Sequence, residues 1–349
     1  MTQQSSDDKR APLVLSQGDP AGVGPQATLM AWSELRRSGP RFYTYANAAT
    51  LRSRAEQAEL DVAVVEISTP AEAHAAFEDG VPVIDMDCPP TRAGEPDVTT
   101  ADTITQSIRS GVDDVWNGRA AAIVTNPIAK SLLKSAGFKH PGHTEFLAEI
   151  AGELTHSAAP LPVMMLIGGG LRVALATIHM PLKSVPDALT KELICDVSSI
   201  VSNALKRDFA APEARLGIAG LNPHAGEDGM LGSEERTIIA PAIRTLQSAG
   251  MNAAGPRPGD TVFHEMLSGA YDAILAMYHD QGLAPLKTLD MWGGVNATLG
   301  LPFVRTSPDH GTAYDAARAF KVRADSLLAA MGMADLMSRN RNRYDAAHD

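Results

Sequence analysis

The sequence has few of the features that mark disulfide-bonded, nucleic-acid-binding or membrane proteins. Its 349 residues include only two cysteines, Cys88 and Cys195, in unrelated contexts, which excludes a disulfide framework and a cysteine-rich zinc site. The formal net charge of −11 argues against a nucleic-acid partner, because phosphate backbones require a concentrated basic surface. No apolar run approaches the roughly 18 residues that span a bilayer, and the polar N-terminus lacks the apolar core of a signal peptide. We therefore expect a cytoplasmic protein with no membrane partner, in which any metal is held by His and carboxylate.

Strand-like and helix-like patterns alternate along most of the chain. LVLSQ and FYTYA each precede a helical pattern, and a helix at about 101–117 precedes the strand-like AAAIVT. This alternation is typical of an α/β protein with a mostly parallel sheet and right-handed crossovers. The length and the 44% hydrophobic content favour two domains. We predict a discontinuous first domain at 10–135 and 291–349 and a middle domain at 136–290, with the polar C-terminal segment SRNRNRYDAAHD frayed.

Two glycine-rich segments predict turns rather than a dinucleotide fingerprint. GDPAGVG at 18–24 lies between a strand-like and a helical segment, but its spacing is not G-x-G-x-x-G. IGGGLRV at 167–173 lies between two apolar runs and predicts a hairpin turn. Any dinucleotide is therefore bound by another geometry.

Three histidines lie in short polar cassettes that each follow an apolar, strand-like run. His179 follows LRVALAT, His224 follows RLGIAG and His279 follows YDAILAM. We expect each to lie at the carboxyl edge of a sheet, where open α/β sheets build their sites. Three imidazoles there suit a divalent metal with an open coordination position. Spacing alone is equally compatible with three unrelated loop histidines.

Two carboxylates accompany these histidines, and either could serve one of two roles. Asp280 directly follows His279, and Asp260 ends the GPRPGD turn. Histidines at metal sites usually donate their second ring proton to a carboxylate or carbonyl, and a substrate hydroxyl needs a base. The Gly-Asp-Thr sequence also predicts Asp260 as a helix N-cap.

A second group of polar residues suits an anion. KHPGHTEFLAE predicts a helix that begins near His143, with Thr144 as its cap and its exposed N–H groups free for a phosphate or carboxylate. Lys287, Asn296 and Arg305 follow the last histidine cassette, and Arg can bind two oxygens at once. Taken singly, each is better explained as a surface charge or a cap. Together with three histidines they predict a small, phosphorylated, hydroxyl-bearing substrate.

Seven cassettes occur in an order that resembles the 4-hydroxythreonine-4-phosphate dehydrogenase family. They are GDPAGVGP, TNPIAKSLLKSAGFKHPGHTEFLAE, LATIHMPL, GLNPHAGEDGMLGSEE, GPRPGDTVF, LAMYHDQGLAPLKTL and GVNATLGLPFVRTSPDHGTAYD. The resemblance covers roughly residues 12 to 335. It implies an isocitrate/isopropylmalate-dehydrogenase-like α/β fold of two domains, with the active-site cleft between them, in a homodimer whose active site lies at the subunit interface.

The resemblance also assigns roles to particular residues. It implies that His179, His224 and His279 bind one divalent metal per subunit (Zn, Mg, Co or Mn), in a site shared between subunits. It implies that the substrate contacts are His143, Thr144, Lys287, Asn296 and Arg305. HGTA at 310–313, with His310, Gly311 and Thr312, resembles the adenine-side loop of isocitrate dehydrogenase relatives, which bind NAD or NADP without a Rossmann loop.

The implied reaction is NAD(P)-dependent oxidation of 4-phosphooxy-L-threonine to a β-keto acid that decarboxylates to 3-amino-2-oxopropyl phosphate, in pyridoxine 5′-phosphate biosynthesis. Asp260 or Asp280 is the candidate base. One alternative is a dehydrogenase of a related sugar acid, 4-phospho-erythronate or phospho-threonate. Others are a phosphate acetyl- or butyryltransferase of similar fold, which has no need of three metal-binding histidines, and a non-catalytic metabolite-binding protein.

Overall fold

The computed structural model describes residues 10–140 and 142–348, which divide into two compact units. The first unit contains the described residues up to Pro160 together with Leu301–Ser338. The second contains Leu161–Gly300 and the described residues from Arg339 onward. Within these described ranges, no helix has the length and apolar character that a membrane crossing requires.

The strands, in chain order, are β1 (Leu13–Ser16), β2 (Phe42–Ala46), β3 (Val64–Glu66), β4 (Val81–Asp85), β5 (Ile123–Thr125), β6 (Val163–Gly168), β7 (Leu171–Leu175), β8 (Leu216–Ala219), β9 (Ala253–Arg257), β10 (Ala273–Ala276), β11 (Val295–Leu299) and β12 (Arg305–Pro308). The α-helices are α1 (Gly24–Leu35), α2 (Ala48–Gln57), α3 (Ala73–Ala76), α4 (Ala101–Trp116), α5 (Lys130–Ser135), α6 (His143–Thr155), α7 (Val185–Ala188), α8 (Lys191–Asp208), α9 (Ala240–Ser248), α10 (Val262–Leu267), α11 (His279–Leu289), α12 (Tyr314–Arg318) and α13 (Asp325–His348).

The strands of the first unit are all parallel and follow the order β3-β4-β2-β1-β5-β12. Helices connect them, and α4 lies so close to the strands that a Cβ on Gly111 would stand 2.9 Å from Ile123 Cδ1. From β1 the chain continues to one side through β2, and β5 lies on the other side. The carboxyl ends of β1 and β5 therefore form a topological switch point, the usual location of ligand sites in open α/β sheets.

The strands of the second unit follow the order β11-β6-β7-β10-β8-β9. The β11–β6 and β6–β7 pairs are antiparallel, whereas β7, β10, β8 and β9 run parallel to one another. Gly169 and Gly170 connect β6 to β7 with φ of +57° and +84°, the left-handed conformation that a two-residue hairpin turn requires. The predicted hairpin and the predicted α/β class with mostly parallel strands are both confirmed.

The expectation that the C-terminal segment frays was wrong for its described residues. Helix α13 continues to His348, and in the second unit Arg341 donates two hydrogen bonds to the buried carboxylate of Asp208, at 2.7 and 2.8 Å. Arg207 pairs in the same way with Asp345. Ion pairs with another helix, α8, thus hold a segment whose polar composition predicts fraying.

Candidate active site

Four neighbouring parallel strands of the second unit each end in a loop that carries a predicted site residue. His179 follows β7, His279 follows β10, His224 follows β8 and Asp260 follows β9. The carboxyl ends of parallel strands meet at one edge of a sheet, so the fold brings all four cassettes to the same edge. The strand pairing therefore places the histidine cassettes at the edge where the sequence predicts them.

His179 and His279 lie side by side at this edge. Their ring centroids are 5.5 Å apart and their planes are tilted by 44°. His279 is the first residue of α11, and its Nδ1 lies 2.7 Å from Oδ1 of Asp280. A carboxylate on Nδ1 fixes the ring orientation and leaves Nε2 for a ligand, which is the usual outer contact of a metal-binding histidine.

His224 lies in a turn of unusual backbone conformation. Residues 224 to 228 all have positive φ, between +41° and +80°, and only Gly226 among them is a glycine. The buried carboxylate of Glu235 supports this turn by accepting hydrogen bonds from the backbone N–H groups of Leu221 and Asn222, at 2.8 and 2.7 Å. In the described part of this single chain, no group of three or more His, Cys, Asp or Glu side chains forms a metal site, so His224 is not grouped with the other two histidines.

The two candidate carboxylates have different surroundings. Asp280 is 86% exposed and is held by its contact with His279. Asp260 is exposed in the turn before α10, whose N-cap is Thr261 and has no side-chain capping bond. The alternative interpretation of Asp260 as the helix cap is therefore wrong.

The residues present fit a divalent cation in their donor chemistry. Two imidazoles of neighbouring loops, one of them with a carboxylate on its second nitrogen, are the ligand type that Zn²⁺ and Co²⁺ prefer. His224 and Asp260, at the ends of the two adjoining strands, are further donors of suitable type at this edge.

In the first unit, a cluster of basic side chains lies at the carboxyl end of β5. Arg305 is only 2% exposed, and its Nε and Nη2 both donate to Oγ1 of Thr125, at 3.1 and 2.6 Å. Burial lowers the pKa of the Arg305 guanidinium to about 9. This buried cation is adjacent to the switch point between β1 and β5 and suits a bound phosphate.

His143 and Thr144 lie at the start of α6, but the predicted cap was wrong. The helix begins at His143 with Gly142 as its N-cap, and Thr144 is a buried residue of the first turn. No side chain caps the helix, because the N-cap residue, Gly142, has no side chain. Its first N–H groups and the positive end of its dipole are therefore suited to an anion.

The imidazole of His143 is held neutral in this basic cluster. Burial, and then the charges of Arg305 and Lys130, lower its pKa well below the ordinary 6.5. Lys130 is close to the helix start, since a Cβ on Gly142 would be 3.1 Å from its Nζ. Sequence reasoning missed Lys130; the signal was its place in TNPIAK, where it opens α5 just after the carboxyl end of β5.

Two of the predicted substrate contacts have buried polar atoms that lack a partner within the described residues. They are Nε2 of His143 in the first unit and Oδ1 of Asn296 on β11 in the second. A buried polar atom without a hydrogen bond costs free energy, and a ligand is one way to satisfy it. Lys287 lies two turns after His279 on α11.

The predicted cofactor loop lies in the first unit between β12 and α12 and comprises His310, Gly311 and Thr312. The carbonyl of Thr312 accepts a hydrogen bond from the N–H of Val23, at 3.0 Å. The hydroxyl of Tyr314 donates to Oδ2 of Asp19, at 2.5 Å. These bonds connect the HGTA segment to the GDPAGVG segment that follows β1, at the switch point.

Comparison with known proteins agrees with the motifs. The family model for the pyridoxal phosphate biosynthetic protein PdxA matches residues 39–334. The 4-hydroxythreonine-4-phosphate dehydrogenase of Caulobacter vibrioides is 47% identical, over 95% of this chain and 98% of its own length, and that of Bradyrhizobium diazoefficiens is 47% identical over 94% and 97%. The crystal structure of the 4-hydroxythreonine-4-phosphate dehydrogenase from Klebsiella pneumoniae has a TM-score of 0.84 at 36% identity, over 94% of this chain and 99% of that one. The resemblance predicted from the motifs is thereby confirmed, and the chain belongs to the PdxA family of pyridoxal phosphate biosynthetic proteins.

Proposed function

We propose that this protein oxidises 4-phosphooxy-L-threonine with NAD or NADP, in pyridoxine 5′-phosphate biosynthesis. The product, 2-amino-3-oxo-4-phosphooxybutanoate, then loses CO₂ to give 3-amino-2-oxopropyl phosphate. The observation that carries this proposal is 47% identity to dehydrogenases of that substrate over 95% of the chain. The adjacent rings of His179 and His279 support it independently, because a hydroxyl group undergoing oxidation needs a polarising site.

The metal-binding residues in this proposal are His179, His224 and His279. When bound, a divalent cation (Zn²⁺, Mg²⁺, Co²⁺ or Mn²⁺) supplies Lewis-acid polarisation of the substrate oxygen, typically worth several kcal/mol. Asp280 holds the ring of His279 in the orientation that leaves Nε2 available. Asp260 or Asp280 accepts the proton of the substrate hydroxyl, directly or through water.

A homodimer completes this proposal, with the metal site shared between two copies of the chain. Support comes from exposed apolar side chains close in sequence to the histidine cassettes and to the end of α11. They are Met180, Leu182, Met230, Leu231, Leu289, Met291 and Trp292, which are 40 to 80% exposed. Large exposed apolar groups on one unit are typical of a surface that another protein copy covers.

The substrate phosphate is assigned to the basic cluster of the first unit. Arg305 donates to the phosphate oxygens, and the first N–H groups of α6, with His143 and Thr144, supply further donors. Lys287 and Asn296 are assigned as further substrate contacts, and the unpartnered Oδ1 of Asn296 accepts from a hydroxyl or amino group.

NAD or NADP is assigned to His310, Gly311 and Thr312, and when bound it accepts the hydride from the carbinol carbon. The resulting β-keto acid loses CO₂ readily because its ketone accepts the electron pair that the C–C bond releases. The bonds from Val23 and Tyr314 keep the HGTA segment in place.

An NAD(P)-linked assay tests the proposal directly. The purified chain should reduce NAD or NADP with 4-phosphooxy-L-threonine, should do so faster than with 4-phospho-erythronate or phospho-threonate, and should lose turnover with a chelator and regain it with added metal. Faster turnover of a sugar-acid phosphate would identify that compound as the substrate instead. No turnover of any of the three compounds would overturn the assigned reaction.

A further inference from the structure

A continuous series of hydrogen bonds connects the four loops at the site edge of the second unit. The hydroxyl of Thr177, two residues before His179, donates to the carbonyl of Met277 at 2.8 Å. Met277 lies two residues before His279. Next along the edge, the N–H of Gly220 at the end of β8 donates to the carbonyl of Arg257 at the end of β9, at 2.7 Å.

The side chain of Gln281 closes the gap between these two pairs. Its Oε1 accepts the N–H of Met277 at 2.6 Å, and its Nε2 donates to the carbonyl of Gly220 at 2.7 Å. Gly220 begins the segment that leads to His224. The amide also lies against the turn before Asp260, since a Cβ on Gly259 would stand 3.1 Å from Nε2. One side chain therefore contacts the loops of three predicted site residues.

We propose that Gln281 is a positioning residue that holds the loops of His279 and His224 in place for metal binding. This inference rests on the metal site of the proposed function. An amide suits the position because it offers an acceptor and a donor on one group, and each meets a backbone group of the opposite kind. An apolar or shorter side chain loses at least one of the two bonds, and the β8 and β10 loops then move independently.

Cobalt binding to the full-length, metal-free protein tests this role. Gln281→Met keeps the side-chain length but removes both hydrogen bonds, so we expect Co²⁺ to bind about tenfold or more weakly, as for other residues that orient metal ligands. Its visible absorption bands should also change, because they report ligand geometry. Binding of Co²⁺ with wild-type affinity and spectrum would overturn the proposal. Should the Met variant fail to fold by circular dichroism, Gln281→Asn takes its place with the same expected and contradicting outcomes.

Gln247→Met is the matched control. Gln247 also donates its amide to a backbone carbonyl, that of Ala253 at 2.8 Å, but at the amino end of β9. If both amides are merely structural, both variants lower the melting temperature and neither specifically weakens Co²⁺ binding. If Gln281 is a positioning residue, only Gln281→Met weakens Co²⁺ binding. Equal losses of affinity in both variants would contradict the proposal.

His279→Ala separates this inference from the proposed function. Loss of Co²⁺ binding in His279→Ala with unchanged binding in Gln281→Met would refute only the role of Gln281. Unchanged binding in His279→Ala would refute the metal site itself, and the positioning role with it.

Discussion

The imidazole rings of His179 and His279 lie 5.5 Å apart, although one hundred residues separate them in the chain. They meet because β7 and β10 are adjacent parallel strands, paired from Ile274 with Val173 to Ala276 with Leu175, and both cassettes begin where these strands end. Strand register, rather than local sequence, therefore sets the distance between two candidate metal ligands. Changes that alter the orientation of either ring should be measurable as changes in metal affinity.

The two candidate carboxylates should respond differently to substitution by Asn. Asp280→Asn removes the charge beside Nδ1 of His279, so we expect metal affinity to fall about 10- to 100-fold. Among the described residues Asp260 has no such contact with a histidine ring, and Asp260→Asn should retain more of the metal. If Asp260 is the base, its variant lowers kcat by about 100-fold or more while the metal content stays near that of the wild type. Metal content and turnover measured together distinguish the roles, and wild-type values in both variants would remove the carboxylates from the mechanism.

Arg305→Lys should weaken substrate binding through the phosphate. The variant keeps a positive charge but loses the planar donors that Thr125 holds in place, and a hydrogen bond to a charged group contributes roughly 1.5 to 3 kcal/mol. We expect KM for 4-phosphooxy-L-threonine to rise by about 10- to 100-fold, with a smaller effect on kcat. Steady-state kinetics measure both constants.

The control for Arg305 uses both a second substrate and a second arginine. On 4-hydroxy-L-threonine, which has no phosphate, Arg305→Lys should differ little from the wild type, and an equal loss on both substrates would contradict the assignment. Arg54→Lys replaces another buried arginine of the first unit, one that donates to the carbonyls of Pro20 and Gly22. It should not show a loss specific to the phosphate.

Much of the site edge could be predicted from the sequence because two local signals coincide there. Each apolar run of strand length ends in a polar cassette, and β7, β8 and β10 were found where LRVALAT, RLGIAG and YDAILAM predicted them. The hairpin at Gly169 and Gly170 was equally predictable, because few other residues adopt positive φ readily. Both the length of an apolar run and the preference of glycine for turns are local properties of the sequence, so a short segment is enough to predict them.

What the sequence did not predict depends on contacts between distant segments. The turn at residues 224–228 holds Ala225, Glu227 and Asp228 at positive φ, which no local pattern indicates, because Glu235 supports it from outside. The position of Lys130 beside the start of α6 also depends on a tertiary contact, because the two segments meet only in the folded chain. Threonine is a common helix cap, so the sequence predicts Thr144 at that position, yet Gly142, two residues earlier, occupies it.

The stability of the protein should depend on pH through His143. Its pKa is lowered well below 6.5 in the folded state by burial and by neighbouring cations, whereas the unfolded chain titrates near 6.5. Below pH 6.5 the unfolded state therefore binds a proton that the folded state does not, and stability falls as the pH falls. The contribution of one such group is up to about 1.4 kcal/mol per pH unit, and it is absent above pH 6.5.

His143→Gln isolates this contribution. Urea denaturation of the wild type and the variant between pH 7.5 and pH 5 gives the free energy of unfolding for each. We expect the wild type to lose more stability than the variant over that range, with the difference confined to pH values below about 6.5. Parallel curves for the two proteins would show that His143 titrates normally in the folded state.

Gly282→Ala should disturb both the fold and the metal site. Gly282 lies on α11, where an added Cβ would stand 2.7 Å from Val173 Cγ1 and 2.9 Å from Leu175 Cδ2 of β7, so either these buried side chains or the helix must shift. Overpacking of this kind typically costs about 1 to 3 kcal/mol. Because α11 begins with His279 and β7 leads to His179, the same movement should weaken Co²⁺ binding. Gly332→Ala on α13 is the control, since no described atom beyond the adjacent residues and backbone of its own helix lies within 4 Å of the added Cβ, and alanine there should stabilise the helix by up to about 1 kcal/mol. Thermal unfolding and cobalt titration of both variants measure these effects, and a Gly282→Ala protein as stable as Gly332→Ala would show that α11 and β7 are less tightly packed than the structure indicates.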